Sequence, residues 1–124
     1  MSLLAEEPSV QPDIDAALVQ LGFSAFKPGQ REAVEILLSG GRLLLVAPTG
    51  GGKSLTYQLP AAILPGTTLV VSPLIALMHD QVLALEERGI PSTYLAGTLD
   101  SDEMRRRMSE ASRGAYKLIY VAPE

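Results

Sequence analysis

The chain contains no cysteine and no tryptophan, a single histidine, and only four Tyr and two Phe. Without cysteine, its 124 residues can form no disulfide, thiol nucleophile or cysteine–zinc site. Long apolar runs are missing as well. The longest are strand-sized, far below the ~20 residues a membrane span needs. The opening residues, Met1-Ser2-Leu3-Leu4-Ala5-Glu6-Glu7, have neither a basic head nor an apolar core, so they are no secretory signal. Positive charge is not in excess either. Ten Lys and Arg against 14 Asp and Glu leave a net charge of −4, so no global field draws in nucleic acid and any DNA contact must be local.

What is present suits a globular domain. The sequence is 47% hydrophobic and 19% charged, and a chain near this size can bury roughly two-thirds of its unfolded surface. Residues 1–12 are polar, carry Pro8 and Pro12, and read as a flexible arm. Residues 13–124 read as the domain proper. Asp13 is placed to cap a helix whose Ile14, Ala17, Leu18 and Leu21 follow helical spacing, and Gly22 stops it. A second helix is entered through Pro28, with Ala33, Val34, Leu37 and Leu38 on its apolar face.

From Leu43 the pattern alternates. Runs 43–47, 67–71, 92–96 and 117–121 predict strands, and 53–64, 73–88 and 102–112 predict helices. Pro60 should bend the first of these helices. Ser72 and Pro73 predict the cap and first position of the second, with Leu74, Leu77, Met78 and Val82 as its core face. Ser101 starts the third. Such alternation implies an α/β fold with a parallel sheet and flanking helices, preceded by two N-terminal helices. The nearly continuous apolar strands fit a sheet covered on both faces.

The segment Ala47-Pro48-Thr49-Gly50-Gly51-Gly52-Lys53-Ser54 carries the chemistry. It stands between a predicted strand and a predicted helix, the context that makes a Gly-rich run a phosphate-binding loop. Gly50, Gly51 and Gly52 lack Cβ atoms, so the backbone can curl and aim successive N–H groups at an anion. The helix beginning near Lys53 adds its unpaired donors and its dipole. Lys53 then reaches the β- and γ-phosphates of ATP, and the Ser54 hydroxyl ligates Mg²⁺. The bland alternative is a Gly-rich turn that happens to precede a lysine.

Three more segments stand at telling places: Leu21-Gly22-Phe23-Ser24-Ala25-Phe26-Lys27-Pro28-Gly29-Gln30, Val71-Ser72-Pro73-Leu74-Ile75-Ala76-Leu77-Met78-His79-Asp80-Gln81-Val82, and Tyr120-Val121-Ala122-Pro123-Glu124. With the run Pro48 to Pro60 they match, in order and spacing, the RecQ family of ATP-dependent DNA helicases, which the chain resembles from about Asp13 to Glu124. The resemblance implies an incomplete RecA-like P-loop domain, the N-terminal portion of the first motor domain. It further implies an adenine pocket from Phe23, Lys27 and Gln30, with Thr49 among the nucleotide-binding residues. The Gln30 amide has its own physical case, since it can pair with N6 and N7 of adenine. Phe23 offers a stacking face and Lys27 a cation. Read from residues alone, Phe23 and Phe26 serve equally as core staples, and Gln30 as a helix-entry residue.

By the same resemblance, Ser72, Pro73 and Leu74 contact the backbone of single-stranded DNA, with a helix N-terminus supplying phosphate donors. His79 reads as a solvated helix residue. Arg105-Arg106-Arg107, set among Asp102, Glu103 and Glu110, reads either as a charge-balanced helix face or as a DNA contact. ATP hydrolysis also needs carboxylates and an arginine, and the family's Asp-Glu-x-His box has no counterpart in the chain. The piece alone is therefore expected to be inactive, and the intact parent to move 3′ to 5′ on single-stranded or partly duplex DNA in recombination and repair. The expected location is the bacterial nucleoid or a eukaryotic nucleus. A truncated, non-catalytic nucleotide-binding or interaction fragment is the competing expectation.

Overall fold

The computed structural model describes residues 13–46 and 52–123. The arm at 1–12, residues 47–51 and Glu124 lie outside the described residues. In chain order the elements are α1 (Ile14–Gln20), α2 (Gln30–Leu38), α3 (Lys53–Ile63), β1 (Thr68–Val71), α4 (Ile75–Glu87), β2 (Ser92–Leu95), α5 (Ser101–Ser112) and β3 (Leu118–Val121). The strands form one sheet in the order β1-β3-β2, parallel throughout. Register pairs Leu118 with both Thr68 and Ser92, and Val121 with both Val71 and Leu95.

β3 is the central strand, and its Leu118, Ile119 and Tyr120 are all buried. That explains its unbroken apolar run: a strand hydrogen-bonded on both edges and covered on both faces has no position for a polar side chain. β1 is an edge strand, with Leu69 and Val71 exposed at 64% and 70%. The ends of the strands nearest their starts are held by side chains as well as by backbone. Thr67 Oγ1 donates to the Tyr116 carbonyl at 2.7 Å, and Lys117 Nζ donates at 2.6 Å to the carbonyl of Leu64, the C-terminal cap of α3.

The core joins α1, α2, α3, α4 and β3 through Leu18, Val34, Leu55, Leu59, Met78, Leu85 and Leu118. α1 and α2 pack on α3, α3 on β3, and both α4 and α5 on β2. Asp13 caps α1 as its position predicts, its Oδ1 accepting from the Ala16 N–H at 2.9 Å. α3 passes through Pro60 and continues to Ile63.

Two sequence expectations are corrected. The run 43–46 joins no ladder with the described strands, and Leu44 and Val46 are 88% and 86% exposed, so it is not the buried strand its composition predicts. A short apolar run suits a buried strand, but a strand also needs a neighbour to bond. Second, α4 begins at Ile75 rather than Pro73. Ser72 turns its hydroxyl back to accept from the Leu74 N–H at 3.1 Å, and Leu74 becomes the N-cap without a side-chain cap bond. The buried face of α4 is Met78, Val82 and Leu85, while Leu74 and Leu77 stay exposed. α5 begins at Ser101, as its sequence predicts, and Asp100 caps it, accepting from the Glu103 N–H at 2.8 Å.

Candidate functional site

α3 starts at Gly52, whose φ of 78° is left-handed and which makes no side-chain cap bond. Lys53 and Ser54 follow as its first two residues. A helix N-terminus carries N–H groups without intrahelical partners and a partial positive charge. Here no cap side chain covers them, which suits an anion. The exposed Lys53 adds a full positive charge, and Ser54 a hydroxyl. Thr49, Gly50 and Gly51, the other predicted members of this loop, lie outside the described residues.

Gln30 is buried, and it ties the upstream segment to this helix start. Its Oε1 accepts from the Lys27 N–H at 2.6 Å, and its Nε2 donates to the Gly52 carbonyl at 3.0 Å. A Cβ at Gly52 would run into Gln30 Nε2, so a side chain there would displace the amide tip in addition to straining the left-handed φ. The stem of Lys27 lies beside Gly52 too. An amide has two donors and two acceptor sites. Among the described residues, one of each is engaged, by the Lys27 N–H and the Gly52 carbonyl. A cavity of about 50 Å³ lies at this junction, lined by Pro28, Gly29, Gln30, Leu45, Gly52, Lys53 and Thr56.

Phe23 is half exposed beyond the end of α1, whereas Phe26 packs against the core with the Arg31 guanidinium 5.6 Å from its ring centroid. Of the two rings, only Phe23 is displayed. Arg31 is fixed by Asp15 at 3.0 Å and Glu35 at 3.2 Å, and the bond to Asp15 is the main influence raising its pKa.

A larger cleft, about 650 Å³, opens from Gly52, Lys53 and Ser54 and runs to Ser72 and Leu74. The predicted phosphate and DNA segments therefore border one space. Ser72 is held at the end of β1 by its N–H, which donates to the Val121 carbonyl at 3.0 Å. Pro73 and Leu74 are exposed beside it. Tyr57, Gln81 and Tyr120 also line this cleft. The sequence reading gave them no role, although Tyr57 follows Lys53 by four residues and so shares its helix face.

The arginine run divides by residue. Arg105 pairs with Asp102 at 3.0 Å, and Arg106 pairs with Glu103 and Glu110, so these two belong to a charge-balanced face. Arg107 is largely buried. It reaches Glu103 at 2.6 Å and the Tyr94 carbonyl at 2.8 Å, with its guanidinium 4.6 Å from the Tyr94 ring centroid. His79 is exposed, its ring edge-on to Tyr94. Among the described residues, no group of three acidic or histidine side chains could hold a metal, and no helix is long and apolar enough to cross a membrane.

Comparison with known proteins gives a consistent picture. The DEAD/DEAH box helicase family profile matches residues 27–124. The chain is 46% identical over 104 residues to the ATP-dependent DNA helicase RecQ of Bacillus subtilis, covering 83% of this chain and 18% of that protein. It is 40% identical over 119 residues to the RecQ of Pasteurella multocida, covering 96% of this chain and 19% of that protein. It thus spans about a fifth of these relatives' length. A solved structure, a hypothetical ATP-dependent RNA helicase from Sulfolobus tokodaii, superposes with a TM-score of 0.70 at 21% identity. The match covers 89% of this chain and 33% of that one, and shows the fold, a partial RecA-like helicase domain.

Proposed function

Because this chain belongs to the DEAD/DEAH box helicase family, with RecQ helicases as its relatives, we propose that it forms the ATP-binding portion of a RecQ-type DNA helicase motor. The observation that carries this reading is the junction of Gln30 with Gly52, directly before the uncapped first turn of α3. A buried amide there meets the start of a helix whose cap residue makes no side-chain bond and whose first residue is Lys53.

In this reading the first-turn N–H groups of α3 and the Lys53 ammonium bind the β- and γ-phosphates of ATP. In the same reading Thr49, Gly50 and Gly51 also bind the phosphates. The Gln30 amide reads the adenine edge, with Phe23 and Lys27 against the base. The Ser54 hydroxyl holds Mg²⁺, which when bound offsets the charge of the phosphates. The carboxylates that orient the attacking water come from outside these residues. Ser72, Pro73 and Leu74 hold the backbone of single-stranded DNA, the α4 N-terminus supplying donors to a phosphate.

The protein that carries this segment then moves 3′ to 5′, hydrolyses ATP faster on single-stranded DNA, and serves recombination and repair where the chromosome is, in nucleoid or nucleus. The segment alone has the nucleotide cradle and not the full hydrolytic set.

The test is nucleotide binding by fluorescence titration of parent and Lys53→Ala, paired with unwinding of duplexes bearing a 3′ or a 5′ tail. Loss of Lys53 is expected to weaken ATP binding at least tenfold and to abolish unwinding, with the 3′-tailed duplex preferred by the parent. Equal ATP affinity in both proteins would overturn the reading.

A further inference from the structure

Tyr57 lies one helical turn beyond Lys53, and both line the larger cleft. Inside that cleft the Tyr57 hydroxyl is 3.1 Å from the Tyr120 hydroxyl, with the two rings edge to face and their centroids 6.1 Å apart. Gln81 of α4 closes a triangle. Its Oε1 accepts from Tyr57 at 3.0 Å and from Tyr120 at 2.5 Å. With both hydroxyl protons given to Gln81, the two phenol oxygens stand side by side without a bond between them, and Gln58 Nε2 adds a third bond by donating to the Tyr120 hydroxyl at 3.0 Å. Burial, first of all, raises the pKa of both phenols, so both are hydroxyl donors at neutral pH.

The triangle ties together three elements with different tasks. α3 carries the phosphate residues at its start, α4 follows directly on the Ser72–Leu74 turn, and β3 is the rigid centre of the sheet. α3 and α4 flank the cleft, and the triangle bridges them across it. Gln81 sits on the second turn of α4, on the side of Leu74, Leu77 and Met78 that faces the cleft. A shift of α3 on nucleotide binding thus meets a hydrogen-bonded contact on the helix that follows the DNA turn.

We propose that Tyr57, Gln81 and Tyr120 are positioning residues that hold α4, and with it the Ser72–Leu74 turn, in fixed relation to the phosphate-binding turn of α3. Through them, DNA held at 72–74 and nucleotide held at 52–54 act on each other. The inference rests on the functional reading above, since it needs both sites to be occupied as described there.

The experiment measures steady-state ATPase, with and without single-stranded DNA, in the full-length protein carrying this chain. Gln81→Met removes the amide at nearly constant volume. Gln81→Glu keeps an oxygen able to accept from both tyrosines. Tyr120→Phe removes one oxygen atom and serves where Gln81→Met fails to fold. The expected result for Gln81→Met and Tyr120→Phe is a DNA-free kcat and an ATP KM within about twofold of the parent. DNA-stimulated kcat falls roughly fivefold, as for loss of one buried hydrogen bond, and Gln81→Glu retains the stimulation. Unchanged stimulation in Gln81→Met and Tyr120→Phe overturns the inference. So does an equal fall with and without DNA, which marks a contribution to folding alone. A parent that shows no DNA stimulation overturns the functional reading itself, and does so before any substitution is made.

Discussion

At the scale of single residues, Gln30 and Gly52 form one unit. The amide satisfies a backbone N–H at Lys27 and a backbone carbonyl at Gly52, and it occupies the space a Cβ at residue 52 would take. Gly29 is the natural control, since its φ of 85° is equally left-handed but a Cβ there meets open space. Gly29→Ala carries the left-handed strain alone, about 1–2 kcal/mol. Gly52→Ala carries the strain and also displaces Gln30, so it is expected to lose a further ~1–3 kcal/mol, the cost of an orphaned buried partner. Urea midpoints of the two variants decide this; equal losses would show that the amide adapts freely. That Gln30 stands at the entry of a helix was legible in the sequence. Its bond to Gly52 was not, because a contact between positions 22 residues apart depends on how α2 packs against α3.

At the scale of elements, α5 is held by charge more than by burial, since none of its residues is fully buried. Arg106, and then Arg107, hold the Glu103 carboxyl at about 2, well below its ordinary 4.5. A carboxylate depressed in the folded state stabilises above its ordinary value, and that contribution fades as pH falls through the folded one. The order of α5 is therefore expected to weaken between about pH 4.5 and pH 2. Arg106 is solvent-exposed, so added salt should shrink its share of the effect, while the pair with the largely buried Arg107 is screened less. Amide exchange across 101–112, followed against pH at low and high salt, checks it, and Glu103→Gln should flatten the profile. The charge balance of this helix could be read from the order of its residues. The fate of Arg107 could not, because its carbonyl partner belongs to β2. The start of α4 was misplaced for a related reason. Ser72 and Pro73 have the right chemistry for a cap, but the Ser72 N–H is drawn to Val121 and its hydroxyl to Leu74, so the turn tightens and the helix begins later.

At the scale of the whole molecule, the described sheet ends on an open edge. β1 bonds only to β3, and the exposed Leu69 and Val71 project from it. An unpaired apolar edge is a template for association with another chain. The 124-residue chain on its own is expected to self-associate with rising concentration, and Val71→Lys to suppress this with little change in its urea midpoint. Light scattering against concentration tests both; a monodisperse parent would show that the edge is covered. The alternation of strands and helices revealed the α/β class and the parallel sheet, because each crossover segment has helical periodicity. The 43–46 run was misjudged because a short apolar run suits a buried strand and does not report the presence of a bonding neighbour.

The parallel pairing of β1 with β3 has a mechanical consequence. These strands are the first and last of the described sheet, they lie side by side, and the chain enters both from the same end. Tension applied between the start of β1 and the finish of β3 pulls the two along their common axis in opposite directions. The ladder is loaded in shear, every bond at once, instead of being peeled open one bond at a time. A force-generating protein built on this sheet can pass load through it while the sheet yields only as a unit.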